Sequence, residues 1–170
     1  MTLWASDADG EAGRVGEETH VDDETTRTMV VGHDGSTGAD DCLEFALGIA
    51  EKLGVAVHVV RAWTVDTAPH GTLFDHGYVS SFAEASAKVR DLLVGDVAAA
   101  VAGHPEVRVR YEGVLGQPAA VLIKESADAV MLVVGSHGRG GFARMVLGSV
   151  SEQCVRHADC PVLVTRPVHR

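Results

Sequence analysis

The feature that most constrains the fold is a regular alternation of short apolar runs with segments of helical spacing, which begins at Thr28. Five runs are typical of β-strands: residues 28–32, 55–60, 107–111, 129–135 and 161–165. Four segments carry apolar residues three and four positions apart and are typical of helices: residues 39–54, 80–102, 117–127 and 149–158. This alternation predicts a parallel sheet that is covered by helices on both faces.

The polarity of the runs predicts the order of the strands. Three of them, 28–32, 55–60 and 129–135, are apolar throughout and suit the middle of a sheet, whereas 107–111 alternates Val and Arg and suits an edge. With right-handed crossovers, these preferences are met by the order 3-2-1-4-5 of a Rossmann-like α/β fold. Ligands bind such sheets at the carboxyl ends of the strands on either side of the switch point, here the first and the fourth strand.

The first 27 residues differ from the rest of the chain. They carry eight acidic residues against two arginines and few large apolar side chains. Such a segment buries too little apolar surface to offset the entropy of ordering it, so we predict a disordered acidic tail, or alternatively an interaction arm, over 1–27. The folded domain is predicted over 28–170.

Charge and composition exclude several classes of function. The net charge of −10 disfavours nucleic acid and anionic membranes as partners. No apolar run reaches the length of a membrane-spanning helix, and the first ten residues do not resemble a secretory signal. Three cysteines without CxxC spacing favour a reducing compartment, so we predict a cytoplasmic protein.

A glycine-rich loop, "GSHGRGGFARMVLGS", follows the fourth strand and invites a phosphate-binding interpretation. Gly135 and Gly140 have the spacing of a Walker A loop, but Gly141 and Phe142 replace its Lys and Ser/Thr, which excludes that motif. A dinucleotide fingerprint through Gly138, Gly140 and Ala143 is weak, because the loop is too long and no acidic residue ends the next strand.

The whole loop has a third pattern: Gly135, two residues, Gly138, nine residues, then Gly148 and Ser149. With "VVGHDGS" after the first strand and "VHVV" in the second, this spacing resembles the ATP-binding members of the universal stress protein family, over residues 28–170. The resemblance implies an adenine nucleotide alpha hydrolase-like fold that binds ATP, with Mg²⁺ as a possible companion of the phosphates. Gly32 and His33 depart from the residues that many members carry there.

Physical reasoning supports several of these positions independently. Gly135 ends a strand where a ribose has to approach the backbone, and Gly138 lets the loop turn its N–H groups inward. Gly148 and Ser149 open a helix, whose first N–H groups lack internal partners and suit a phosphate, as do the hydroxyls of Ser149 and Ser151. Arg139 and Arg144 would reverse the local field of an acidic chain.

The resemblance also assigns roles that spacing does not. It implies that Asp34 faces the ribose hydroxyls or the base and that the backbone of Val59 meets the adenine edge. A turn-forming role for Asp34 and a core role for Val59 are the alternatives. The predicted nucleotide-binding residues are Gly32, Asp34, Val59, Gly135, Gly138, Arg139, Gly148, Ser149, Val150 and Ser151.

Signs of a dedicated catalyst are missing from the sequence. No Ser-His-Asp order, G-x-S-x-G elbow or zinc-ligand spacing is found, so we predict neither catalytic residues nor a metal site. The chain is therefore expected to be an ATP-binding stress-response or regulatory protein, with AMP or cyclic AMP binding and slow ATPase activity as alternatives. The last strand, 161–165, has no charge to protect an edge, and the resemblance implies a homodimer joined there.

Overall fold

The computed structural model of the chain describes residues 27–75, 78–138 and 147–166. Nearly all of the predicted acidic tail lies outside these ranges. The elements are β1 (Thr28–Gly32), α1 (Thr37–Leu53), β2 (Ala56–Trp63), β3 (Phe74–Asp75), β4 (Tyr78–Val79), α2 (Phe82–Ala102), β5 (Val109–Leu115), α3 (Pro118–Glu125), β6 (Met131–Gly135), α4 (Ser149–His157) and β7 (Val162–Thr165).

The main sheet has five parallel strands in the order β5-β2-β1-β6-β7. In terms of the five predicted strands this is 3-2-1-4-5, so the predicted fold class is confirmed. β5 and β7 are the two edges, and β1 lies in the centre between β2 and β6. The switch point between β1 and β6 is where the predicted ligand crevice is expected.

Two strands, β2 and β5, extend beyond their predicted ends, whereas β6 and β7 begin one or two residues later than predicted. β2 continues to Trp63, where the sequence suggested an end at residue 60, because Arg61 interrupts the apolar run. The structure accommodates Arg61 by pairing its guanidinium with Asp96 of α2, with 2.7 Å between Nη1 and Oδ2. β5 begins later than predicted and extends to Leu115, in register with the end of β2. Between β2 and α2, the short strand β3 pairs with β4.

Alternate residues of each strand divide the core into two layers. One layer joins β1, β2 and β6 to α1 and α2 through Met29, Val57, Leu43, Leu47 and Leu93. The other joins the same strands to α3 and α4 through Val30, Val60, Leu122, Leu132 and Cys154. The period of two follows from strand geometry, and it decides which residue at each strand end turns to which face.

Caps hold the helices that flank the crevice. Ser36 is the N-cap of α1, where its side chain accepts a hydrogen bond from the Ala39 N–H. Gly54 ends α1 with a φ of 63°, in the left-handed region that favours glycine. Within the described parts of the chain, no helix combines the length and apolarity needed to cross a membrane.

Candidate functional site

A cavity of about 370 Å³ opens at the carboxyl ends of β1 and β6, as the strand order predicts. It extends from the end of β2 to the first turn of α4. Its walls are formed by Gly32, His33, Asp34, Ala39, Val60, Ala62, Leu122, Val134, Gly135, His137, Gly138, Gly148, Ser149, Val150 and Ser151.

The β1–α1 loop holds Asp34 in a tight turn. Asp34 Oδ1 accepts hydrogen bonds from the Ser36 backbone N–H at 3.0 Å and from the Ser36 hydroxyl at 2.6 Å. The other oxygen, Oδ2, faces the glycine loop, since a Cβ built on Gly138 would lie 2.9 Å from it. One carboxylate oxygen therefore serves the turn while the other lies at the cavity.

His33 and Arg61 form a buried polar wall behind Asp34. The Arg61 Nη2 lies 2.8 Å from His33 Nδ1, and His33 Nε2 lies 3.0 Å from Asp40 Oδ1. Because a guanidinium can only donate, His33 Nδ1 must accept the hydrogen bond from Arg61. His33 Nε2 therefore carries the ring proton and donates a hydrogen bond to Asp40. Burial, and next the charge of Arg61, lowers the pKa of His33, so the ring is neutral near pH 7.

The glycine loop is closely packed where it leaves β6 and where it enters α4. The Gly148 N–H donates to the Ser136 carbonyl at 2.7 Å. A Cβ on Gly148 would lie 3.2 Å from that same oxygen, and one on Gly135 would lie 3.3 Å from the His137 carbonyl oxygen. Gly148 has a φ of −73°, so close approach of the backbone, and not a left-handed conformation, is what favours glycine there.

The first turn of α4 presents backbone N–H groups to the cavity. Gly148 is the N-cap and supplies no side chain, and the first helical bond runs from the Glu152 N–H to the Gly148 carbonyl. The N–H groups of Ser149 and Val150 precede that bond and lie at the positive end of the helix dipole. The buried Ser151 hydroxyl donates back to the carbonyls of Gly148 at 2.9 Å and Ser136 at 3.3 Å.

The backbone at the end of β2 also faces the cavity. On the β1 side, the His33 N–H donates to the Val60 carbonyl at 2.9 Å, while on the β5 side the Gly116 N–H donates to the Trp63 carbonyl at 2.8 Å. Since these directions alternate along a strand, Ala62 turns both its N–H and its C=O to the β1 side, as Val60 does.

β1 ends before it reaches the level of Ala62, because the last β1–β2 pair is Gly32 with Val60. Within the described ranges, neither the N–H nor the C=O of Ala62 has a hydrogen-bond partner. A donor and an acceptor that lie side by side at the wall of a cavity form a site for the hydrogen-bonding edge of a planar base.

Comparison with known proteins identifies the family. Residues 25–166 match the family model described as the universal stress protein family. The chain belongs to the universal stress protein family. The resemblance to the family that the glycine spacing suggested is thereby confirmed, whereas membership of its ATP-binding subgroup stays a prediction.

Curated universal stress proteins of mycobacteria are among its relatives. One from Mycolicibacterium smegmatis is 33% identical over 154 residues, which covers 87% of this chain and 50% of the relative. Universal stress protein Rv2005c of Mycobacterium tuberculosis is 36% identical over 138 residues, which covers 81% of this chain and 45% of the relative. The chain thus spans about half the length of the curated relatives that it matches.

Solved universal stress proteins share the fold. One, in complex with cAMP, has a TM-score of 0.60 and 23% identity, and the match covers 83% of this chain and 97% of the other. Another, from Archaeoglobus fulgidus in complex with dAMP, has a TM-score of 0.52 and 20% identity, over 82% and 96% of the two chains. Both structures hold adenine nucleotides.

Most of the residues predicted for a universal stress protein nucleotide site come together at the cavity. Those that line it are Gly32, Asp34, Gly135, Gly138, Gly148, Ser149, Val150 and Ser151. Arg139 and Arg144 lie outside the described residues. Whether any of these residues contacts a nucleotide stays a prediction.

Val59 is the predicted residue that the structure does not bring to the cavity. Its side chain is fully buried in the layer that packs on α1 and α2, and its position in the alternation turns its backbone toward β5. Ala62 occupies the place at the cavity wall that was expected of Val59. The register of β1 on β2 determines this, and the sequence alone does not reveal it.

Sequence reasoning also missed the polar wall of His33 and Arg61. An arginine inside a strand, at the point where apolar residues were expected to stop, was the available signal. The strand was predicted to end at residue 60, whereas β2 continues through Arg61, which is buried and bonded to His33 and Asp96.

Proposed function

We propose that this universal stress protein binds ATP in the cavity between β1 and β6 and acts as a regulatory, stress-response module. The adenine ring would lie against the apolar lining that includes Val60, Ala62 and Leu122. Its N6 amino group would donate to the Ala62 carbonyl, and its N1 would accept from the Ala62 N–H. This assigns the adenine contact to Ala62 in place of Val59.

The ribose and phosphates would extend from there toward α4. Asp34 Oδ2 is the acceptor nearest to Gly138 and suits a ribose hydroxyl. The N–H groups of Ser149 and Val150, together with the Ser149 hydroxyl, suit phosphate oxygens, because each such charged hydrogen bond contributes about 1.5–3 kcal/mol. Ser151 is expected to shape the turn, since its hydroxyl proton is already shared with backbone carbonyls.

One observation carries the proposal: the bonding edge of Ala62 and the N-terminus of α4 line the same cavity, with Asp34 also in its wall. The two solved relatives that hold cAMP and dAMP support an adenine nucleotide as the class of ligand. AMP and cyclic AMP are the alternatives to ATP. Mg²⁺ would accompany the phosphates of ATP.

The regulatory role rests on the chemistry of the lining. Among the described lining residues, His33 has both ring nitrogens in hydrogen bonds, and His137 Nδ1 lies 3.0 Å from the Ser136 hydroxyl. Asp34 keeps Oδ2 at the cavity, and we assign that oxygen to the ribose and not to a general base. Slow ATPase activity is the alternative. Nucleotide binding would be signalled through a homodimer joined at the β7 edge, or through contacts with an unidentified protein partner. The cytoplasm stays the predicted location.

The purine edge offers a direct test of this arrangement. Inosine triphosphate replaces the N6 amino group by a carbonyl and protonates N1, so both contacts to Ala62 would be mismatched. Since an unmade buried hydrogen bond costs about 1–3 kcal/mol, ATP should bind at least about tenfold more tightly than inosine triphosphate. Mass spectrometry of nucleotide released from the purified protein should find an adenine nucleotide. Equal affinities for the two triphosphates would contradict the assignment of Ala62.

A further inference from the structure

A second cluster of polar side chains lies on the α3 face of the sheet, away from the cavity. His58 is on β2, Glu112 is on the edge strand β5, and Glu125 is the last residue of α3. One ligand atom from each of these three residues lies within 4.8 Å of the other two. None of the three lines the cavity.

His58 is the unusual member of this cluster. The residue is fully buried, and its Nε2 is the one buried side-chain nitrogen or oxygen without a hydrogen-bond partner in the described parts of the chain. Glu112 Oε2 lies 3.1 Å from that nitrogen, but in a geometry that does not make a hydrogen bond. The carboxylate at this distance offsets part of the cost of burying the nitrogen, but a poorly directed contact is weaker than a full hydrogen bond, so a bound group that coordinates Nε2 would be stabilising.

We propose that His58, Glu112 and Glu125 form a site for a divalent transition-metal ion of the Zn²⁺ type. Ligands around Zn²⁺ at bonds of about 2.0–2.2 Å are separated by roughly 3.3–3.6 Å, which small rotations of the two glutamates would reach. One imidazole with two carboxylates favours a first-row transition metal over Mg²⁺ or Ca²⁺, which prefer oxygen ligands alone. Glu112 is about half exposed, which leaves room for water as a fourth ligand.

Arg110 opposes metal binding at this site. Its Nη2 lies 2.9 Å from His58 Nδ1, so Nδ1 accepts and the imidazole proton resides on Nε2. A metal can bind Nε2 only if the ring proton moves to Nδ1. Nδ1 then becomes a donor and can no longer accept the hydrogen bond from the Arg110 guanidinium. Arg110 is exposed on an edge strand and can rotate into solvent, with no net proton released. Metal and Arg110 are therefore competing partners of one ring.

The consequence of binding is a link between three elements. The ion would join the edge strand β5 and the strand β2 to the end of α3. That helix also carries Leu122, which lines the cavity and lies against Gly32. The site is nevertheless independent of the nucleotide proposal, because none of its ligands takes part in that site.

The test is titration of the metal-stripped full chain with Zn²⁺ by calorimetry and with Co²⁺ by visible absorption, in the absence of nucleotide. We expect one ion per chain at this site. Glu112→Gln and Glu125→Gln, which keep the size of the side chains, should each weaken binding at least about tenfold. Glu106→Gln, an exposed acidic residue outside the cluster, is the matched control and should bind as the unmodified chain does. Arg110→Met should bind about tenfold more tightly, in line with the size of effects from groups behind a ligand.

Each result bears on the proposal. Loss of the ion in both glutamine variants with retention in E106Q supports it, and tetrahedral Co²⁺ bands lost in the same two variants support the ligand set. Absence of stoichiometric binding, or binding by E112Q and E125Q at unmodified affinity, would overturn it. An Arg110→Met variant that binds no more tightly would overturn the competition between Arg110 and the metal. Circular dichroism of every variant verifies that the fold is retained.

Discussion

The carboxylate of Asp34 faces Gly138 across the cavity, so closely that a methyl group on Gly138 would lie 2.9 Å from Asp34 Oδ2. The same carboxylate is held from behind by the N–H and hydroxyl of Ser36. It therefore cannot withdraw without breaking its turn. The absence of a side chain at position 138 therefore leaves room beside the Asp34 carboxylate.

Replacement of Gly138 by Ala should impair nucleotide binding while the fold is retained. The added methyl would displace Asp34 or the loop, and overpacking of this kind costs about 1–3 kcal/mol. We expect ATP affinity to fall about tenfold or more, measured by calorimetry. The same strain should lower the thermal midpoint of the nucleotide-free chain by a few degrees, while the fold is retained.

Gly95→Ala is the matched control for that substitution. Gly95 lies on the exposed side of α2, and a Cβ there would meet no atom within 4 Å. The same chemical change should leave ATP affinity unaltered and raise the free energy of unfolding by about 0.5–1 kcal/mol. A Gly138→Ala variant that binds ATP as tightly as Gly95→Ala would remove the basis for a ligand beside Asp34.

Asp34→Asn separates the two roles of this residue. The amide keeps one oxygen, which can continue to accept from Ser36 and preserve the turn, but it turns an NH₂ group toward the cavity. If Asp34 accepts from a ribose hydroxyl, ATP should bind about tenfold more weakly with little change in stability. If the residue serves the turn alone, D34N should bind ATP normally, and the role implied by the resemblance would be wrong.

Val164→Pro tests the proposed dimer at β7. The Ser136 N–H donates to the Thr165 carbonyl and the Leu132 N–H to the Pro161 carbonyl, so odd-numbered residues pair with β6. Val164 therefore turns its N–H to the free edge, where proline removes a donor without breaking the sheet. Light scattering should find a dimer for the unmodified chain and a monomer for V164P.

Two further results complete the dimer test. Leu163→Pro, which removes a nearby N–H from the same strand, should destabilise the fold because that group faces β6. A chain that is already monomeric with ATP present at micromolar concentration would refute the dimer, whatever the variants do.

Two buried histidines should make the protein less stable in mild acid. Burial is the main cause that lowers the pKa values of both His33 and His58 below the ordinary 6.5. The unfolded chain then takes up protons near pH 6.5 before the folded chain does, so stability falls as the pH drops from 7 through that value. The midpoint of urea unfolding should decrease accordingly, and His33→Gln should reduce the decrease.

His104 contributes with the opposite sign. Hydrogen bonds that His104 donates to Glu51 and Glu44 raise its pKa, so its contribution is present in acid and is lost as the pH rises through the raised value. His104→Gln should therefore steepen the loss of stability in acid. A midpoint that is constant between pH 7 and pH 5 in both variants would contradict the assignment of neutral, buried His33 and His58.

The order of the strands could be predicted because it depends on properties that a sequence carries locally. A continuous apolar run, such as 129–135, indicates burial on both faces, and the alternation of Val and Arg in 107–111 indicates an edge. The position of the cavity then follows from topology. Gly135, Gly138 and Gly148 were predicted from their spacing, and the structure adds that close packing within the loop itself also favours glycine at positions 135 and 148.

What the sequence did not reveal depends on register and on pairing over long distances. Val59 and Ala62 are both small apolar residues of one strand, and only the alignment of β1 on β2 decides which reaches the cavity. The bond between Arg61 and His33 joins residues 28 positions apart, and no spacing rule predicts it. The cluster of His58 with Glu112 and Glu125 could not be predicted either, because its members are also far apart in the sequence.

The most direct test of the account is calorimetric titration of the nucleotide-free chain with ATP and Mg²⁺. The account predicts one ATP per chain at micromolar or tighter affinity, with binding reduced about tenfold or more in Gly138→Ala and unchanged in Gly95→Ala. No heat of binding from folded, nucleotide-free protein, together with no adenine nucleotide released from the purified chain, would contradict it.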